Sequence, residues 1–157
     1  MQPILPSFPS AIAGTDLEVR FSRCPRRRSS QVQGKRILLI EDNLDVQMFV
    51  RTVARMEGAV LVAASSGESG VERFRDGPAF DLILLDINLP GMSGWDVIDL
   101  LDPAGTQGSR LPPIVIFTAS ADSDTVDKAE RMGARDVIVK PIAARDLVTR
   151  LNAALST

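Results

Sequence analysis

The chain has 157 residues, 45% of them hydrophobic and 4% aromatic, with a formal net charge of −2 and no histidine. That length suits one globular domain plus some surplus, with a core built from aliphatic side chains, and the missing histidine excludes imidazole bases, imidazole metal ligands and histidine phosphorylation. The single cysteine, Cys24, excludes an internal disulfide, and no run of about 18 apolar residues is present to cross a membrane.

Residues 1–34 hold four prolines and five arginines (Arg20, Arg23, Arg26, Arg27 and Arg28) against Asp16 and Glu18, a net of +3, with no helical or strand period. They read as a flexible basic, proline-rich extension. Pro3, Pro6 and Pro9 interrupt the opening apolar residues and no basic cluster precedes them, which is not a secretion-signal pattern. With one cysteine and no signal, the cytoplasm is the default location. A short arginine run could contact nucleic acid or a membrane surface, but in an extension it is more often solvated. The remainder, residues 35–157, carries 13 basic and 18 acidic residues, a net of −5. An acidic domain is expected neither to bind DNA directly nor to insert into a membrane.

From Lys35 two kinds of segment alternate. Arg36 to Ile40 is a short aliphatic run ending at Glu41 and Asp42, the pattern of a buried strand. From Asn43 to Glu57 the apolar Leu44, Met48, Val53 and Met56 recur near helical spacing, Asn43 is a fitting cap, and Gly58 follows the end. The alternation continues with a strand at Ala59 to Ala64, a helix at Gly67 to Arg75, a strand at Asp81 to Leu85 and a helix at Gly94 to Leu101, before Pro103. The loop from Pro103 to Pro113, rich in proline and glycine, reads as a surface excursion. A strand at Ile114 to Phe117, a helix at Asp122 to Met132, a strand at Asp136 to Val139 and a helix at Ala143 to Leu155 complete five strand–helix units.

Short aliphatic strands alternating with amphipathic helices imply a parallel sheet covered on both faces, because right-handed crossovers lay the helices over the sheet. The expected fold class is therefore α/β, a doubly wound five-stranded parallel sheet with five helices. Ligands of such sheets bind outside the carboxyl ends of the strands. The polar residues at those ends are Glu41 and Asp42, Asp86, Thr118 and Lys140. Any one of them alone reads equally well as a cap or a loop residue. Five such residues at one edge of one sheet do not.

Carboxylates about 5 Å apart at an effective dielectric near 20 repel by roughly 3 kcal/mol per pair, so a cation belongs among them. Mg2+ fits, because it takes oxygen ligands, keeps several waters and is held by one or two carboxylates together with phosphate oxygens. Beside such an ion Asp86 can attack phosphorus in line, while Lys140 neutralises the oxygens of the transferring group. Thr118 can then offer a hydroxyl to the aspartyl phosphate.

The segments RILLIEDN, DLILLDINLPGMSGWDVI, IVIFTAS and DVIVKP resemble the response-regulator receiver family of two-component signalling over residues 35–155. The resemblance implies a flavodoxin-like sheet in the order 2-1-3-4-5. It implies Asp86 as phosphoacceptor, and Mg2+ held by Glu41, Asp42, Asp86 and the backbone carbonyl of Asn88, with Asp42 the direct ligand and Glu41 acting through water. Thr118 matches the switch hydroxyl, and Lys140, ahead of a cis Pro141, matches the phosphate-pairing lysine. Pro90, Gly91 and Gly94 fit the loop after the acceptor. The implied partners are a histidine kinase or histidine phosphotransfer protein and a downstream target protein. Such a domain catalyses only its own phosphorylation and autodephosphorylation. One departure is Val137, where many members carry an aromatic switch residue; output is therefore expected to rely on the loops at Ile87 to Gly94 and Ala119 to Ser123.

Because the chain ends at Thr157, just after the last helix, a stand-alone receiver is expected. Three other readings compete. A phosphohydrolase forming an aspartyl phosphate normally needs a second aspartate two residues after the nucleophile, where this chain has Asn88. A nucleotide- or flavin-binding module would carry a glycine-rich motif after the first strand, where Glu41 and Asp42 stand instead. A receiver fold acting without phosphorylation would not require every site residue that is present.

Overall fold

The computed structural model describes residues 30–103 and 111–156. Most of the extension read at 1–34 and most of the loop between Pro103 and Pro113 lie outside the described residues. Five strands, β1 (Arg36–Ile40), β2 (Val60–Ala64), β3 (Leu82–Leu85), β4 (Ile114–Thr118) and β5 (Asp136–Val139), alternate with five helices. The helices are α1 (Leu44–Met56), α2 (Gly67–Asp76), α3 (Gly94–Leu101), α4 (Ser123–Arg131) and α5 (Ala144–Leu155). All strand pairs are parallel, in the order β2-β1-β3-β4-β5. The α/β doubly wound reading and its strand order therefore hold.

The aliphatic runs become the central strands because side chains of a parallel sheet are buried on both faces. All four residues of β3 and residues 37–40 of β1 are sealed from solvent. Alternate residues serve opposite layers. Leu38, Ile40, Ile83, Leu85 and Ile116 pack with Val71 of α2, Val97 of α3 and Ala129 of α4. Ile37, Leu39, Leu82, Leu84 and Phe117 pack with Val50 of α1 and Leu147 and Leu151 of α5. Each fully buried Leu or Ile contributes roughly 1.5–3 kcal/mol, enough to fix which face each strand residue takes.

One boundary differs from the sequence reading. Within the segment assigned to the extension, Val32 is buried in the α1–α5 layer, its backbone N–H donates to Asn152 Oδ1 at 3.2 Å, and Ser30 Oγ meets the same oxygen at 3.2 Å. Residues 30–34 thus belong to the packed unit. A lone valine among serines and glutamines has no periodicity to betray it; packing in a layer built from residues distant in sequence buries it.

The site is positioned by register. Ile40 pairs with Leu85, so Glu41 and Asp86 leave adjacent strands side by side, at the point where the winding of the sheet reverses. Thr118 ends β4 opposite Val139, and Lys140 follows, its backbone N–H donating to Thr118 O at 2.7 Å.

Candidate functional site: an acidic pocket at the strand ends

Among the described residues only three polar or charged side chains are buried: Glu41, Asp86 and Thr118. All three stand at the carboxyl edge of the sheet, where burying a charge is costly unless it is paired. The pairing comes from Lys140. Its ammonium lies 2.5 Å from Asp86 Oδ2 and 2.7 Å from Glu41 Oε2, with its side chain 15% exposed. The same ammonium sits 5.2 Å from the centre of the Phe117 ring, a cation–π contact that adds to its fixation. The Lys140–Pro141 peptide is cis, as the resemblance implied.

Local turns hold each acid in place. After β1 the chain bends at Asp42, and the Asn43 side chain caps α1 by accepting from the N–H groups of Asp45 at 2.9 Å and Val46 at 3.1 Å. The Asn43 backbone N–H then donates to Glu41 Oε1 at 3.1 Å, and the Gln47 amide donates to the Glu41 carbonyl at 2.6 Å. After β3 the Asn88 backbone N–H donates to Asp86 Oδ1 at 2.9 Å. The Asn88 side-chain amide donates to Thr118 Oγ1 at 3.3 Å.

The loop that follows needs its glycines. Gly91 has a φ of +83°, a left-handed conformation that costs other residues free energy. Gly94 donates to the Ile87 carbonyl at 3.0 Å, and a Cβ there would stand 2.4 Å from the Asp86 carbonyl oxygen and 2.7 Å from Ile87 Cα. The helix that begins at Gly94 is thus pressed directly against the backbone of Asp86. Ser93 and Asp96 cap it reciprocally, Ser93 N–H to Asp96 Oδ2 at 3.0 Å and Asp96 N–H to Ser93 Oγ at 3.3 Å.

Burial pushes the Glu41 carboxyl above its ordinary range, against the opposing pull of Lys140 and the Asn43 N–H. Burial also works to lower the Lys140 pKa, but its hydrogen bonds to Asp86 and Glu41 outweigh this and raise it, so the amine stays charged. One ammonium faces three acids: carboxylate oxygens of Glu41, Asp42 and Asp86 all lie within 4.8 Å of one another. With Asp42 exposed and the other two buried, the cluster opens to solvent on one side. An all-oxygen donor set with a net of two uncompensated charges, free of sulfur and imidazole, is the chemistry that a hard divalent cation such as Mg2+ takes.

The structure thus gathers Glu41, Asp42, Asp86, Thr118 and Lys140 at one edge, with Asn88 joining Asp86 to Thr118. Sequence reasoning assigned Asn88 only a backbone carbonyl; its amide bond to Thr118 spans 30 positions and has no sequence signal. The Phe117 contact with Lys140 was missed for the same reason, and that of Gln47, only six positions from Glu41, because it depends on the turn that joins β1 to α1. Val137, at the position of the absent aromatic, is partly buried against the layer formed by α2, α3 and α4.

Comparison with known proteins agrees with this geometry. The family model for the response regulator receiver domain matches residues 37–152. The cell cycle transcriptional regulator CtrA of Caulobacter vibrioides is 36% identical over 120 residues, which cover 75% of this chain and 49% of that protein. The transcriptional regulatory protein HprR of Escherichia coli is 36% identical over 121 residues, covering 76% and 51%. The chain spans about half the length of these relatives. Among solved structures, the response regulator TrrA of Thermotoga maritima, determined in complex with Mg2+-BeF, is 25% identical with a TM-score of 0.65, covering 76% of this chain and 98% of that one. No helix among the described residues is long and apolar enough to cross a membrane. With its fold, its acidic edge and its sequence all in agreement, the chain belongs to the response regulator receiver domain family, the signalling module of two-component systems.

Proposed function

We propose that this domain accepts a phosphoryl group on Asp86 from the phosphohistidine of a histidine kinase or histidine phosphotransfer protein, with Mg2+ bound beside it, and thereby switches binding to a downstream target or relays the group onward. The observation that carries the reading is the buried Asp86 carboxylate, held at Oδ2 by Lys140 and at Oδ1 by the Asn88 N–H, within 4.8 Å of oxygens of two further acids.

In the reaction an Asp86 oxygen forms a bond to phosphorus as the P–N bond of the donor breaks, and the imidazole leaves with that electron pair and takes up a proton. Lys140 binds the equatorial oxygens, and the rigid Asn88 turn orients the nucleophile. Glu41, Asp42, Asp86 and the Asn88 carbonyl would hold Mg2+, which supplies charge neutralisation for the incoming phosphoryl oxygens. Thr118 offers its hydroxyl to the product, which carries roughly two negative charges. The exposed Leu44 and Met48, which follow Asp42 on α1, offer an incoming donor an apolar surface next to the acids. The chemistry is the domain's own phosphorylation and autodephosphorylation; turnover of a substrate is not expected.

The test is incubation with acetyl phosphate and Mg2+ followed by intact mass. A phosphate-sized gain should appear in the parent and in Asp99→Asn, and be missing in Asp86→Asn. A gain that persists in Asp86→Asn would overturn the assignment.

A further inference from the structure

Thr118 is fully buried, and its Oγ1 accepts two hydrogen bonds, from the Asn88 side-chain amide at 3.3 Å and from the Ser120 N–H at 3.5 Å. Among the described residues nothing accepts the hydroxyl's own proton. The oxygen is held from two sides and the proton is uncommitted, so the group is ready to donate once an acceptor arrives, but not free to travel to it. The residue that holds it also touches the reacting carboxylate, because the Asn88 N–H donates to Asp86 Oδ1 at 2.9 Å. Among the described residues, Asn88 is the one hydrogen-bonded to both the Asp86 carboxylate and the Thr118 hydroxyl.

We propose that the Asn88 side chain is a positioning residue, a latch that restrains the Thr118 hydroxyl in the unmodified protein and must release it for Thr118 to engage a phosphoryl group on Asp86. The proposal rests on the reading of Asp86 as phosphoacceptor. Phosphoryl oxygens are strong acceptors and compete for the donors that face them. As they arrive, the Thr118 hydroxyl moves toward them to donate its proton and so breaks the bond it accepts from Asn88, whose amide, on an exposed residue, returns to water. The bond between them is therefore lost in the modified state, and its free energy sets part of the balance between the two states. Because the amide is on an exposed residue, this bond lies at the weak end of neutral hydrogen bonds, worth about two- to fivefold in an equilibrium constant.

The experiment is a double-mutant cycle on the affinity for beryllofluoride, a stable phosphoryl mimic, at saturating Mg2+, with Mg2+ affinity and urea stability measured in parallel for every variant. Asn88→Ala should tighten beryllofluoride binding about two- to fivefold in the parent background and leave it unaltered in Thr118→Val, since with no hydroxyl to restrain there is nothing to release. Equal effects in both backgrounds, or weaker binding in Asn88→Ala alone, would overturn the latch while leaving Asp86 as the acceptor. If the parent protein itself takes up no beryllofluoride, the reading of Asp86 fails and the latch falls with it.

Discussion

The ammonium of Lys140 lies 2.5 Å from Asp86 Oδ2 and bonds Glu41 at the same time, so one cation from the end of β5 bridges acids from the ends of β3 and β1. Removing a member of a buried ion pair leaves the other charge uncompensated, which is far more costly than forgoing the pair. Lys140→Met should destabilise the metal-free domain by about 3 kcal/mol in urea unfolding. Added Mg2+ should restore part of that loss, and so stabilise the variant more than the parent. An unchanged unfolding midpoint would show that the acids do not depend on this amine.

Burial raises the Glu41 pKa in the folded domain, so the folded state holds its proton to higher pH than the unfolded chain does. The sign follows: this group contributes nothing unfavourable below its unfolded pKa, and its charge costs stability as pH rises from about 4.5 through the raised value. Glu41→Gln should therefore match the parent near pH 4 and be the more stable of the two at pH 7 in the absence of divalent ions. Thermal melts across that range, with chelator present, measure it. A variant less stable at neutral pH would refute the expectation.

Asp81 behaves oppositely. The Arg36 N–H, which donates to Oδ2 at 2.9 Å, outweighs the opposing effect of burial and, with Lys35 at 3.0 Å from Oδ1, holds its carboxyl below the ordinary range. Its contribution is present above its unfolded pKa of about 3.9 and is lost as pH falls through the lower folded value. Since the pair is partly exposed, Asp81→Asn should cost about 1 kcal/mol or less at pH 7 and flatten the acid limb of the stability curve below pH 4.

Gly94 is pressed against the backbone that carries Asp86, with a virtual Cβ 2.4 Å from a carbonyl oxygen that cannot rotate away. Gly94→Ala should destabilise the domain by about 1–3 kcal/mol, the usual range for overpacking, and should slow phosphorylation by acetyl phosphate because the acceptor turn is displaced. Normal phosphorylation kinetics in a destabilised variant would separate the two effects and count against a positional role.

With Val137 in place of an aromatic ring, there is no large side chain at that position to swing. Backbone amide shifts on phosphorylation should concentrate at Ile87–Gly94 and Ala119–Ser123 and be small at Val137. Shifts centred on β5 instead would contradict that view.

What could be read from the chain alone were the features that depend on neighbours in sequence. Aliphatic runs bounded by polar residues marked the five strands to within a residue or two, since burial on both faces demands them, and Asn43, Gly91 and Gly94 announced a cap and a tight loop. The acids, threonine and lysine that end those runs were therefore legible as one edge, once the strands were parallel. Strand order was not contained in that pattern; it came with the family resemblance, because any winding of five strand–helix units buries the same alternating faces. Tertiary structure alone decided the rest: that Ile40 and Leu85 share a register and so bring Glu41 beside Asp86, that Lys140 bridges them, that Val32 is buried in the layer of α1 and α5, and that Asn88 reaches Thr118. Each of these is a contact between segments far apart along the chain, and its free energy exists only after the sheet has brought them within a few ångströms.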